Sequence, residues 1–358
     1  MAFLLCFLLL FSSCASAPKP DITEPAAPNN EDAVENRDTP AEEEEVVDEF
    51  FHYGELPEGT ENLPVLGFNE IWAYLRTDRE WSLKNNYPIS DLVYFAAGID
   101  IYGKLTGVPN RKRVGNFPGR VHLAIEGPGL SLTHFVLEPG SALRRQLVAD
   151  ILEASKPYDG LNIDFESIPA RDRDNFLSFL KELRDGLENK MFTIAVKART
   201  RTISDDAFNY EKIKPLVDRI FVMAYDEHWS GSKPGPIASL NWGRSVAEYA
   251  LKTVGAEKLV MGLPFYGRAW GDVGTSMAYT HPQIERIKKE NSITTGRREN
   301  GIPAFDYKVL VKVTAYYDDI QSLNLRSSIY RDAGVKSIGF WALGQEDPAV
   351  WNFFKLNG

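Results

Sequence analysis

From Leu63 onward, short apolar runs alternate with segments whose apolar residues recur every three or four positions. The runs Ile71–Leu75, Leu92–Ala97, Val121–Ile125, Gly160–Phe165, Phe192–Val196, Arg219–Ala224, Leu259–Leu263 and Ser337–Trp341 have the length and the β-branched and aromatic content of buried strands. Between them, Leu143, Leu147, Val148, Ile151 and Leu152 follow Pro139 with helical spacing, as do Phe176, Leu180, Leu183 and Leu187 further on. Eight such alternations over roughly 300 residues predict a (β/α)8 barrel, an α/β fold for which about 250 residues is typical. An open doubly wound sheet would be expected to carry a Gly-rich phosphate loop after an early strand, and neither GxGxxG nor GxxxxGK occurs. The longest interval between predicted strands, Gly271 to Lys336, contains a hairpin pattern from Ala304 to Tyr317, so a small insertion is expected between strands seven and eight.

The fourth run breaks the pattern. In YDGLNIDFES, Asn162, Asp164 and Glu166 alternate with Leu161, Ile163 and Phe165. Strand periodicity sends the three polar side chains to one face, into the barrel, and the three apolar ones towards the surrounding helices. Carboxylates in a closed core would be costly, but the C-terminal end of a barrel strand lines a cleft. Two carboxyl groups so close disfavour ionising both, which leaves one protonated at neutral pH.

At these residues the chain resembles glycoside hydrolase family 18, whose DxxDxDxE signature stands here as Asp159, Asn162, Asp164 and Glu166. The resemblance implies that Glu166 is the general acid and Asp164 orients the substrate's 2-acetamido group. The acetamido oxygen would then attack the anomeric carbon, a substrate-assisted exception to the two-carboxylate scheme. Asn162, where many chitinases carry Asp, is expected to support Asp164 by a hydrogen bond. Met223-Ala224-Tyr225-Asp226 resembles the family's MxYD, which implies that Tyr225 and Asp226 hold the acetamido group, with Met223 beside them at the substrate. Gly262 to Arg268 is similar to GxPxYGR on strand seven and brings Tyr266 into the substrate-binding set. Gly339 to Gly344 resembles the eighth-strand segment whose Trp, here Trp341, floors the cleaved sugar. Besides Asn162, two stretches depart from the pattern: HLAIEG lacks the third-strand SxGG, and Lys197 follows the fifth strand where a small residue or Pro is expected. In the loop HWSGSKPGPIASLNW, Trp229 is expected to face sugar and Trp242 to pack on a helix.

The opening MAFLLCFLLLFSSCASA is too short to cross a membrane and reads as a signal peptide over residues 1–14, with a lipobox-like end that would lipidate Cys14. A secretory signal cut near Ala15 or Ala17 is the alternative, and both readings export the protein to the cell envelope. Residues 15–61 carry fifteen acids and two bases with few large apolar residues, and are expected to form a disordered tether. They account for more than the whole chain's net charge of -10, so the acidity describes the tether and not a substrate preference. Residues 62–358 then form the catalytic domain.

The only cysteines, Cys6 and Cys14, lie in the leader, and the five histidines show no metal-binding spacing, so neither a metal nor another cofactor is expected. Basic clusters at Arg111 to Arg113 and at Arg297-Arg298 lack interleaved aromatics, which disfavours a nucleic-acid partner. The expectation is a monomeric, retaining hydrolase that cleaves β-linked N-acetylglucosamine in peptidoglycan or a chitin-like glycan and is held to a membrane through Cys14. The alternative is a lectin-like barrel that binds such glycans without turnover. Relatives of that kind commonly lose the acid, whereas Glu166 is present here.

Overall fold

The computed structural model describes residues 49–52, 62–272, 276–308 and 311–358. The leader with Cys14 and most of the tether lie outside the described residues.

Eight parallel strands, each within a residue or a few of the run predicted for it, close into a barrel: Glu70–Arg76, Asp91–Ile99, Arg120–Glu126, Gly160–Asp164, Met191–Lys197, Arg219–Met223, Leu259–Pro264 and Ser337–Trp341. The first strand pairs with the second through Trp72↔Asp91 and with the eighth through Ile338↔Ile71, which closes the ring. Helices Leu130–Leu137 and Ala142–Ser155 follow the third strand, and Arg173–Gly186 follows the fourth. The second of these begins not at Pro139 but at Ala142, where the Ser141 hydroxyl accepts from the Arg144 backbone N–H. After the first and second strands the expected helix is replaced by short 3-10 turns, Glu80–Ser82 and Arg111–Val114.

The alternating pattern of the fourth strand is realised as read. Leu161, Ile163 and Phe165 are buried in the outer core, where Phe165 stacks on Phe176 and Phe179 of the following helix. Asn162 and Asp164 point inward. The inside of the barrel is itself layered. At its N-terminal end Glu70 accepts hydrogen bonds from Arg120, Arg219 and the Trp72 indole, and Asp91 accepts from Arg120 and meets His122 at 2.8 Å. Burial acts to raise Asp91, and the His122 and Arg120 partners overcome it and hold the carboxyl below its usual range. This network seals the end of the barrel that barrel enzymes use for stability. Above it lie Trp72, Val93, Phe221 and Val260, and then Tyr74 and Ala124.

The insertion is larger than expected and begins earlier. Strand seven ends at Pro264, and Tyr266–Gly271 leaves the barrel to join a six-stranded antiparallel sheet with Ser276–Thr280, Thr295–Glu299, Ile302–Lys308, Lys312–Tyr316 and Glu49–His52. Tyr266 and Arg268 therefore sit on the insertion and not on a barrel strand. The expected hairpin is present, with Ala304 opposite Tyr316. Glu49–His52 corrects the reading of residues 15–61 as structureless throughout. It pairs with Thr295–Arg298, an edge whose backbone groups would otherwise have no strand partner.

Helix Ile320–Asp332 returns the chain to the barrel, and its buried Arg326 pairs with Asp318 at 3.0 Å and donates to the Ala238 carbonyl at 3.1 Å. That contact ties the loop after the sixth strand to the end of the insertion.

Candidate active site

The C-terminal ends of the fourth, sixth and eighth strands bring together most of the residues expected from sequence. Asp164 ends the fourth strand and is 6% exposed, and its Oδ1 is buried without a hydrogen-bond partner among the described residues. Glu166 follows just beyond the strand and is exposed at the mouth. Burial, with the Glu166 and Glu126 carboxylates adding to it, pushes Asp164 up to about 8. Although the Glu166 side chain reaches solvent, the crowded strand ends desolvate its carboxyl enough to raise it too, with Lys197 acting against this and Asp226 and Glu126 in the same sense. Burial favours the neutral form of the inner carboxyl, and the outer one is placed to exchange a proton with a bound molecule.

Asn162 does not support Asp164, contrary to the sequence-based expectation. Its carboxamide oxygen accepts from the Tyr74 hydroxyl at 3.2 Å, and its amide donates to the Thr193 hydroxyl at 2.8 Å. Strand register explains this, since Thr193 is the residue paired directly with Asn162 on the fifth strand. At the next inward position that strand presents Ala195, which has no polar atom to offer Asp164.

Tyr225 is half-buried just past the sixth strand, and its hydroxyl has no hydrogen-bond partner among the described residues. Burial pushes the phenols of Tyr225 and Tyr74 well above their ordinary value, so both remain donors at neutral pH. Asp226 is exposed with a left-handed backbone, φ 59°. It is held from behind, by the Tyr266 hydroxyl at 2.6 Å and the Arg268 guanidinium at 3.7 Å. Tyr266 is thus buried behind Asp226, and its hydroxyl is engaged there and not open to substrate.

Trp341 is half-buried at the end of the eighth strand, tilted over Tyr74 at 5.2 Å and edge-on to Phe95 at 4.8 Å. Two aromatic side walls fix the indole plane and leave part of it open to the cleft. Met223 packs with this interior cluster below Tyr225. Trp229 is 55% exposed on the loop after the sixth strand, and its carbonyl accepts from the Trp270 indole at 3.3 Å. Trp242 packs against the outer core, as expected. His228 is half-buried with its Nδ1 2.8 Å from the Pro236 carbonyl, and its neighbour Glu227 accepts from the Ser239 backbone N–H at 2.6 Å. These contacts shape the loop that carries Trp229.

Sequence reasoning missed Glu126, Tyr74 and Thr193. Glu126 ends the third strand directly beside Asp164, and the departure from SxGG in HLAIEG was the available signal. The following Gly127 donates its backbone N–H to the Asp164 carbonyl at 2.9 Å, and a Cβ there would lie 2.8 Å from the Phe165 Cα. Only glycine lets the two strand ends approach this closely. Among the described residues no group of three His, Cys, Asp or Glu side chains is arranged to hold a metal ion.

Comparison with known proteins places these residues in a family context. The model for glycosyl hydrolases family 18 matches residues 94–346, most of the chain. The putative sporulation-specific glycosylase YdhD of Bacillus subtilis is 32% identical over 250 residues, covering 65% of this chain and 58% of that protein. The cortical fragment-lytic enzyme of Bacillus subtilis is 23% identical over 237 residues, covering 60% and 54%. The chain thus spans less than two thirds of either relative. Among solved structures, the spore cortex-lytic enzyme SleL of Bacillus cereus superposes with a TM-score of 0.72 at 19% identity, covering 80% of this chain and 75% of SleL, a likeness of fold.

Proposed function

The chain belongs to glycosyl hydrolase family 18, and from that premise we propose that it cleaves β-linked N-acetylglucosamine with retention of configuration, using the substrate's acetamido group as the nucleophile. The observation that carries this reading is the pairing of an accessible Glu166 with a buried Asp164, whose carboxyl burial pushes up to about 8, at one strand end. Glu166 would protonate the glycosidic oxygen as the acetamido oxygen closes on the anomeric carbon, and would then take a proton from the water that opens the oxazolinium ion. Asp164, kept neutral, has a proton to donate to the acetamido group or to Glu166. Tyr225, with an uncommitted hydroxyl, and Asp226, fixed by Tyr266 and Arg268, flank the place where that group would sit. Trp341 offers the apolar face for the sugar ring.

No second carboxylate is needed as a nucleophile in this scheme, provided the sugar carries an N-acetyl group. The similarity to cortex-lytic enzymes makes spore cortex the first polymer to test, with chitin beside it. The lectin-like alternative leaves the protonated Asp164 and the accessible Glu166 without a task. The test is to incubate the purified protein with peptidoglycan and with chitin oligosaccharides and to follow reducing ends, with mass spectrometry of the fragments. Release by wild type, its loss in Glu166→Gln and failure on de-N-acetylated substrates are expected. Equal hydrolysis of acetylated and de-acetylated substrates would sink the mechanism, and binding without release would favour the lectin.

A further inference from the structure

Two charged side chains at the cleft mouth have no role in the hydrolysis described above. Glu126 ends the third barrel strand and Lys197 ends the fifth, so they bracket the fourth strand and the Asp164–Glu166 segment. The register pairs Glu126 with Asp164. Ile163 pairs with Ile194 on the fifth strand, so the ends of these two neighbouring parallel strands, which carry Glu166 and Lys197, lie side by side. Both side chains are exposed, and neither forms an ion pair or a side-chain hydrogen bond among the described residues. Lys197 is nevertheless held in place. Its Nζ lies 6.0 Å from the centre of the Phe208 ring, and its carbonyl accepts from the Tyr210 hydroxyl at 2.6 Å.

We propose that Lys197 and Glu126 are positioning residues of opposite sign for the proton on Glu166, Lys197 favouring the carboxylate and Glu126 favouring the acid. The proposal rests on the reading of Glu166 as the acid and base of the hydrolysis. In the first half of that reaction the C–O bond to the leaving sugar breaks, the acetamido oxygen bonds to the anomeric carbon, and the Glu166 proton passes to the departing oxygen. In the second half water bonds to the same carbon, the oxazolinium C–O bond breaks, and a water proton returns to Glu166. One residue must therefore be an acid and then a base of comparable strength. An isolated carboxyl raised by burial is protonated for the first half but a reluctant donor, because burial penalises the carboxylate that the transfer leaves behind, and a nearby cation relieves that penalty.

Glu126 from the third strand, Lys197 from the fifth and Asp226 after the sixth act on Glu166, Glu166 in turn acts on Asp164 and Tyr225, and Arg268 stands behind Asp226. Lys197 is the one cation in this set that is not already engaged by a carboxylate. Its effect on Glu166 opposes that of burial, Asp226 and Glu126.

The experiment is the pH dependence of kcat/KM on an N-acetylated oligosaccharide at low ionic strength, for wild type, Lys197→Met, Lys197→Arg and Glu126→Gln. The alkaline limb reports the coupled Asp164–Glu166 pair of the free enzyme, and Lys197 acts on it through Glu166. The limb is expected to move up by about half a pH unit in Lys197→Met, to return near wild type in Lys197→Arg, and to move down by a similar amount in Glu126→Gln. About 1 M salt should shrink both displacements, because both side chains are exposed. Limbs that stay in place while rates fall, or that move in the same direction in both variants, overturn the proposal. Glu166→Gln measured alongside separates the two ideas. Wild-type rates in that variant would defeat the reading of Glu166 itself, whereas its loss of activity with unmoved limbs in the other variants would defeat only the roles of Lys197 and Glu126.

Discussion

The Asn162 side-chain amide donates to the Thr193 hydroxyl, 2.8 Å away, and leaves Asp164 without the partner that its neighbour two residues back was expected to supply. Asp164 is therefore a buried carboxyl group beside the Glu166 and Glu126 carboxylates, raised chiefly by burial with no hydrogen bond to its Oδ1 to oppose it. Asn162→Asp would place a second acid in the same layer, accepting from Tyr74 and Thr193. A new buried carboxylate beside Asp164 is expected to destabilise the fold by roughly 1–3 kcal/mol above neutral pH and less in acid, where it can stay protonated. Urea denaturation at pH 5 and at pH 8 would show whether the cost grows with pH.

Asp164→Asn is expected to stabilise the protein while abolishing activity. The folded pKa of Asp164 is raised from 3.8 to about 8. Stability attributable to this group is therefore complete below pH ~4, where folded and unfolded chains both carry the proton, and is lost as pH rises towards 8. An amide of the same shape escapes that loss. At pH 8 the variant should exceed wild type by roughly 2–5 kcal/mol, and at pH 4 the difference should vanish. Equal stability of the two proteins at both pH values would show that Asp164 is not held neutral.

Tyr266→Phe tests whether the buried phenol acts through Asp226. Asp226 is exposed and can regain a water in place of the lost 2.6 Å bond, so the fold should be little affected. Loss of one fixed donor should lower kcat/KM by about tenfold, since Arg268 at 3.7 Å is left as the side chain holding the carboxylate. Thermal denaturation beside steady-state kinetics would separate the two effects. A large fall in Tm would assign Tyr266 to packing.

Gly127→Ala should damage the site from outside it. The added Cβ would meet the Phe165 Cα at 2.8 Å, a backbone contact that no rotamer change relieves. A cost of about 1–3 kcal/mol is expected, with the Asp164–Glu166 segment pushed away from the third strand. Activity measured well below the melting temperature should fall more than the fraction unfolded accounts for. Unchanged activity in a folded variant would mean that the strand ends tolerate separation.

The fold was largely legible in the chain because strand and helix periodicities are local. Leu161, Ile163 and Phe165 announce one face and Asn162, Asp164 and Glu166 the other, and the eight runs of this kind imply a closed ring. The insertion was legible as an interval and not as a boundary. Nothing local separates a strand that stays in the barrel at Pro264 from one that leaves it at Tyr266, so GLPFYGR reads as a single element. Glu49–His52 was hidden for a similar reason, since an edge strand depends on a partner nearly 250 residues away.

By itself the sequence determined which side chains face inward along the fourth strand, and with them the carboxyl pair, while the tyrosine and the tryptophan of the cleft were legible only through the family resemblance. Register between strands was decided only by closing the barrel. It gave Asn162 to Thr193 and Tyr74, left Asp164 unpartnered, set Glu126 and Lys197 on opposite sides of the fourth strand, and put Tyr266 behind Asp226. Periodicity is fixed by backbone geometry within a few residues, whereas register depends on packing that spans the whole chain.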